Sequence, residues 1–167
     1  MNLNRNEVKN SGNHVRLLLR VPVPWVFVLA YLVGVGLQFL FRPDSVSEEL
    51  KRLSLICGIV LFTISGVNAG WSLFIFHKAH TTTTPGEKSA MLVTWGPYRF
   101  SRNPMYVSLT LAYLGEAGML AQIWPLVVLP FTLAYINWVV IPLEESKLKE
   151  VFAEKYERYC ASVRRWI

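Results

Sequence analysis

Gly96 to Tyr106, reading GPYRFSRNPMY, holds two arginines, two prolines, an asparagine and two tyrosines within eleven residues, between long apolar stretches on either side. A guanidinium offers a planar fork of donors that fits a carboxylate, and tyrosines offer both aromatic faces and hydroxyls. Glu144-Glu145 stand at the far end of the apolar stretch that follows. Two adjacent carboxylates at a membrane boundary are costly unless paired or exposed. Arg99 and Arg102 are expected on the same side of the membrane as these carboxylates. The basic segment is therefore either an ordinary juxtamembrane loop or one wall of a polar site.

The elements that must position these residues are apolar runs. The chain has 167 residues, 53% hydrophobic, with a mean hydropathy of +0.34. Val21 to Phe41 and Leu53 to Phe76 contain no charged residue, and each is long enough to cross a hydrocarbon core of roughly 30 Å as a helix. Met105 to Leu143 is apolar apart from Glu116, and Trp124-Pro125 divides it into two pieces. The expected fold is all-α: one integral membrane domain over 1–167, with transmembrane helices at about 21–41, 53–76, 105–123 and 126–143. The last two form a tight hairpin. A C-terminal amphipathic helix follows, because Leu148, Val151, Phe152, Tyr156, Tyr159 and Val163 recur at spacings of three and four.

With four spans, fourteen of the seventeen Lys and Arg residues fall on one side and three on the other. The positive-inside bias then puts both termini and the GPYRFSRNPMY loop in the cytoplasm. The net charge of +6 suits contact with anionic membrane lipid, and no nucleic-acid-binding motif accompanies it. Residues 1–20 read as a polar and then basic-amphipathic lead-in to a retained first span, not a cleavable signal. Cys57 and Cys160 show no pairing pattern and read as free buried thiols. His77 and His80 have no third partner, so no metal is expected. Gly66 and Gly70 carry the spacing that lets two helices approach closely, with Asn68 between them facing protein. Thr81 to Thr84, closed by Pro85-Gly86, reads as an extended connector with a turn. Glu116 reads as a polar lining residue or a sign that the third span ends early.

Several motifs in fixed order carry a resemblance. Thr84-Pro85-Gly86, Leu92-Val93-Thr94, Gly96-Pro97-Tyr98-Arg99, Arg102-Asn103-Pro104-Met105-Tyr106, Glu144-Glu145 and the closing Phe152, Tyr156, Tyr159 and Val163-Arg164-Arg165-Trp166 resemble the isoprenylcysteine carboxyl methyltransferase family. The same run resembles membrane phospholipid methyltransferases more distantly. The resemblance covers about the C-terminal half and implies that 80–167 is the half that binds S-adenosylmethionine (SAM). It places SAM against Ala90, Met91, Leu92, Val93, Gly96, Tyr98, Arg102, Asn103, Pro104, Met105, Tyr106 and Glu144. Within that set, Arg102 suits the SAM carboxylate, Glu144 the ammonium, and Tyr98 and Tyr106 the nucleoside. Arg102, Glu144 and Glu145 are the residues expected to act in catalysis.

The implied partner is a lipophilic or prenylated acceptor reaching the site from membrane lipid. Methyl transfer is an in-line displacement that needs mainly positioning, so a carboxylate acceptor requires no general base. Eukaryotic relatives look to have an acceptor-binding arginine four residues before the first glutamate, and here that position is Val140. The alternatives are phospholipid N-methylation and a noncatalytic membrane scaffold. A transporter fits less well, because the charges stand at the membrane boundary and not along the spans.

Overall fold

The structure, a computed structural model, describes residues 22–41, 47–79 and 91–167. Helix α1 spans Val23–Phe41 and α2 spans Glu48–Lys78. A 3-10 turn at Gly96–Arg99 leads into α3, Pro104–Met119. Helix α4, Ile123–Tyr135, continues through a π-helical segment, Ile136–Val140, into α5, Ile141–Phe152. Helix α6, Glu154–Ser162, follows a break at Ala153, whose φ is 45°. The expected all-α class holds among the described residues. The expected amphipathic helix is thus two helices with a left-handed corner between them. Ala90, Thr81 to Thr84, Pro85-Gly86, His80 and the N-terminal lead-in lie outside the described residues.

Among the described residues, three helices are long and apolar enough to cross a membrane: Val23–Phe41, Glu48–Lys78 and the continuous Ile123–Phe152. Helix α3 has 16 residues, about 24 Å at 1.5 Å per residue and less than a hydrocarbon core of roughly 30 Å. The turn between α3 and α4 lies at Leu120 to Gln122, with Ala121 at φ 49°. It does not lie at Trp124-Pro125 as expected. Pro125 is the third residue of α4, where its missing N–H removes no helical hydrogen bond. Glu116 is exposed in the last turns of α3, consistent with the early end.

Helix α2 starts with Ser47, whose side chain accepts from the Leu50 amide. Glu48 and Glu49 in its first turn and Lys78 in its last complement the helix dipole. Its 31 residues span about 46 Å, so its C-terminal turns extend to the level of the GPYRFSRNPMY loop.

Helices α2 and α3 pack along one another. The close approach is made by Gly58 of α2 and Gly115 of α3: a Cβ at Gly58 would stand 2.6 Å from the Gly115 carbonyl oxygen. Gly66 and Gly70, expected to serve this purpose, have nothing within 4 Å. They lie on an open face of α2, because the helix turns Ser65, Asn68 and Ser72 toward α3 instead. Ser54 and Ser65 donate to the carbonyls of Gly118 and Ser108, each at 2.7 Å. Asn68 Nδ2 donates to Ser108 Oγ at 2.7 Å and to the Pro104 carbonyl at 3.0 Å. Small residues bring the backbones together and short polar side chains then lock the register.

Helix α1 packs on α4. Gly34 meets the Pro125 backbone, and Gln38 Oε1 accepts from the Ile123 and Trp124 amides, capping α4 from another helix. Phe27, Tyr31 and Tyr113 form edge-to-face aromatic contacts at the same end. The third and fourth expected spans are joined by a short turn yet splay apart above it. A cavity of about 600 Å³ lies between them.

Candidate functional site

The site begins with a glycine. Gly96 adopts φ +65°, and a Cβ there would run into Ile75 of α2, so the chain enters the 3-10 turn by a route open to glycine. The turn carries Pro97 and Tyr98 inward and leaves Arg99 and Phe100 exposed. Tyr98 stacks edge-to-face on Phe76, with ring centroids 5.2 Å apart. Its carbonyl accepts from the Tyr159 hydroxyl at 2.7 Å. Val93, Tyr156 and Ile75 complete this cluster, with Leu92, Leu148 and Phe152 packed against it. The apolar faces of α5 and α6 are therefore docked on the loop and on the end of α2. Val151, expected on that face, is exposed: α5 turns Leu148 and Phe152, four residues apart, to the cluster and Val151 lies off that stripe.

The chain's last residues form a third wall. The Arg102 amide donates to the Arg164 carbonyl at 2.9 Å, and Asn103 Nδ2 to the Arg165 carbonyl at 2.9 Å. Ser101 Oγ reaches the same Arg165 carbonyl at 3.4 Å and accepts from the Asn103 amide at 3.0 Å. Asn103 thus precedes α3 without using its side chain as a cap, spending the amide on the tail.

Charges converge where these walls meet. Glu145 takes Arg165 through both oxygens, at 2.7 and 3.2 Å, and Arg102 at 3.3 Å. The Arg102 and Glu145 side chains are each 14% exposed. Arg102 also donates to Cys160 Sγ. Glu144, one residue earlier, points to α3 and accepts from the Tyr106 hydroxyl at 2.7 Å. Its second oxygen accepts from no described residue. Two guanidiniums and two carboxylates balance, which is what a cluster half removed from water requires.

Among the described residues, two buried polar atoms here have no partner: the Tyr98 hydroxyl and Arg102 Nε. A buried donor left unpaired costs about 1–3 kcal/mol, which a ligand with suitable acceptors recovers. Burial, with the Tyr159 hydroxyl nearby, pushes the Tyr98 phenol well above its usual range. Burial does the same at Tyr159 against the opposing Arg102 charge. Both hydroxyls keep their protons and remain donors.

The structure brings Tyr98, Arg102, Asn103, Tyr106, Glu144 and Glu145 to one end of the bundle. Leu92 and Val93 line the supporting cluster, Pro104 is buried at the start of α3, Met105 is half-buried beside it and Met91 is exposed. Val140 is buried in the core with Tyr106, Ile136 and Ile141. Both cysteines are free, but Cys57 is exposed on α2 and Cys160 is half-buried against Arg102, so neither is the buried thiol expected. No metal-binding group of three or more ligands occurs among the described residues.

Arg165 enters the sequence reading only within the closing Val163-Arg164-Arg165-Trp166 motif, without a role of its own, and Asn137 was not among the expected site residues. Arg165 Nη1 reaches both the Asn137 carbonyl and its side-chain oxygen at 3.4 Å, and Trp166 Nε1 donates to that same oxygen at 3.1 Å. The backbone explains why Asn137 is available. In the π segment the Ile141 amide bonds the Ile136 carbonyl. The next amide in register belongs to Pro142, which has no hydrogen, so the Asn137 carbonyl is left for Arg165. Pro142 was the signal in the sequence.

An apolar helical bundle with a buried, charge-balanced cluster at one end defines a membrane protein with a polar site at its boundary. Residues 53–155, more than half the chain, match the phospholipid methyltransferase family, and the chain belongs to it. Two curated relatives, each named a probable protein-S-isoprenylcysteine O-methyltransferase, come from Oryza sativa subsp. indica and subsp. japonica. Each is 32% identical over 111 residues, covering 65% of this chain and 54% of the relative. The chain thus spans about half the length of the curated relatives it matches. No solved structure matches. The resemblance to isoprenylcysteine and phospholipid methyltransferases stands on these findings.

Proposed function

We propose that this chain is an integral membrane SAM-dependent methyltransferase acting on a lipid-like or isoprenylcysteine-type acceptor by carboxyl O-methylation, with 80–167 as its SAM-binding half. The observation that carries this reading is the pair of unpartnered buried donors, Tyr98 hydroxyl and Arg102 Nε, beside a Glu144 oxygen with no described partner. Donors for a carboxylate and a nucleoside, and an acceptor for an ammonium, are what SAM requires of a pocket.

SAM, when bound, supplies an electrophilic methyl group on a sulfonium. The chain's own residues hold the geometry. Arg102, fixed by Glu145 and by the tail, holds a carboxylate with Nε. Glu144, oriented by Tyr106, holds an ammonium, and Tyr98 donates to the nucleoside. Met91, Leu92, Val93 and Gly96 lead into that wall, and Asn103, Pro104 and Met105 form its turn; Ala90, outside the described residues, joins the set by the family resemblance alone. Glu145 positions Arg102 and Arg165. Alignment of nucleophile, methyl and leaving group is the main requirement, and a carboxylate acceptor arrives already ionised.

The same reading makes α3 the fourth membrane crossing, with its flanking turns completing the span. The basic excess then places both termini and the site in the cytoplasm.

The test supplies labelled SAM to the purified protein with N-acetyl-S-farnesylcysteine or phosphatidylethanolamine as acceptor. Label released by mild base from the farnesylcysteine product is the expected result. Base-stable label on phosphatidylethanolamine is the outcome for N-methylation, a reading favoured by the family's description. No transfer to either, or to total membrane lipid, leaves a noncatalytic scaffold and refutes the enzyme.

A further inference from the structure

The Arg102 guanidinium is held from two elements. Nη2 meets Glu145 of α5 at 3.3 Å, and Nη1 donates to Cys160 Sγ of α6. Glu145 is shared, and its shorter contacts, at 2.7 and 3.2 Å, go to Arg165. Much of the task of fixing where the Arg102 guanidinium points therefore falls to the sulfur.

Helix α6 presents that sulfur through its periodicity. Tyr156, Tyr159 and Cys160 stand at i, i+3 and i+4, on one face of the helix. Tyr156 is 2% exposed and the Tyr159 hydroxyl bonds the Tyr98 carbonyl, so the face is anchored around the cysteine. Burial, with the neighbouring Cys160 sulfur adding to it, pushes the Tyr156 phenol above its usual range. That hydroxyl keeps its proton and lies beside the sulfur as a second donor.

The chemistry at position 160 matters because of what Arg102 is left to do. A carboxylate there would neutralise the guanidinium and add a third acid beside Glu144 and Glu145. An aliphatic side chain would leave Nη1 without this acceptor. A thiol is a weak acceptor with no obligatory charge, so it fixes Nη1 and leaves the positive charge uncompensated on that side. Among the described residues Arg102 Nε has no partner, and it is the nitrogen free to meet an anion.

Building on the methyltransferase reading, we propose that Cys160 is a positioning residue for the methyl donor: its sulfur orients Arg102 without neutralising it, and so makes the site select a donor that carries a carboxylate. Cys160 acts through Arg102 and not on the donor itself. The selection is against the same sulfonium nucleoside lacking that carboxylate, since the two molecules are otherwise identical.

The test titrates the intact protein in lipid nanodiscs with SAM and with decarboxylated SAM, and reads the ratio of their dissociation constants by calorimetry. Wild type should favour SAM about tenfold or more, as expected for one hydrogen-bonded charge contact. Cys160→Ala should cut that preference to about threefold or less, and Cys160→Asp should abolish it, because the aspartate takes the guanidinium for itself. Cys160→Ser keeps an acceptor at Nη1 and should stay within about twofold of the wild-type ratio. The Ala and Ser pair decides the matter without the aspartate.

A cysteine that only packs would weaken both ligands alike and leave the ratio unmoved, and that result overturns the proposal. So does a Cys160→Ser ratio as low as that of Cys160→Ala. Equal binding of the two nucleosides by wild type overturns selection through Arg102, while the methyltransferase reading stands on SAM binding. Binding of neither removes the methyltransferase reading and the positioning role together.

Discussion

Helix α3 treats two of its neighbours, α2 and α4, differently. Against α2 it is closed: glycine meets glycine, and Ser54, Ser65 and Asn68 bond across the contact. Against α4, its partner through a three-residue turn, it is open, and about 600 Å³ lies between the two. Chain connectivity does not dictate which helices pack tightly; side-chain size and polar complementarity do. The closed side gives the Pro104 turn, and with it Arg102, Asn103 and Tyr106, a rigid backing. The open side is closed at the turn, where the Tyr113 hydroxyl donates to the Pro125 carbonyl, and at the opposite end, where Glu145 of α5 holds Arg102 from the α3 side and Arg165 from the tail.

That clasp gives the largest expected effect. Glu145→Ala leaves two half-buried guanidiniums without their shared carboxylate. Breaking such a pair typically costs about 3–5 kcal/mol. Reversible unfolding in mixed detergent micelles should show a loss near that size, and a loss under about 1 kcal/mol means that the clasp does not hold the two sides together. A smaller effect is expected on the closed side. Gly115→Val forces a branched side chain against the Phe62 backbone of α2, at a cost of about 1–3 kcal/mol. Gly66→Val on the open face of α2 should stay within about 0.5 kcal/mol of wild type. Equal costs for these two, measured in the same unfolding assay, contradict the assignment of the closed contact to Gly58 and Gly115.

Much of this arrangement is legible in the chain, for identifiable reasons. Long charge-free runs place α1 and most of α2, because a lipid-spanning helix must satisfy its backbone internally and present apolar side chains all round. The GPYRFSRNPMY loop and Glu144-Glu145 stand out because charge at the edge of apolar runs demands a partner. Pairing within the cluster is less legible. Arg102 meets Glu145, while Glu144 turns to Tyr106, a split between adjacent residues set by helix rotation. Gly66 and Gly70 have the spacing of a close contact, yet Gly58 and Gly115 make it, since spacing alone does not say which face of α2 meets α3. The fold-back of Val163 to Trp166 rests on hydrogen bonds to residues some sixty positions away. Pro142, in contrast, carries a local cause for the π segment and was readable in principle.

The central claim is that the unpartnered Tyr98 hydroxyl, Arg102 Nε and Glu144 together form a SAM pocket. Calorimetric titration of SAM into the intact protein in nanodiscs tests it most directly. The expected result is a dissociation constant in the micromolar range, about −8 kcal/mol. Arg102→Ala and Glu144→Ala should each weaken it by about 2 kcal/mol or more, the effect of removing one partner of a desolvated charge pair. Absence of binding to the folded wild-type protein, or variants that bind as tightly as wild type, would contradict the account.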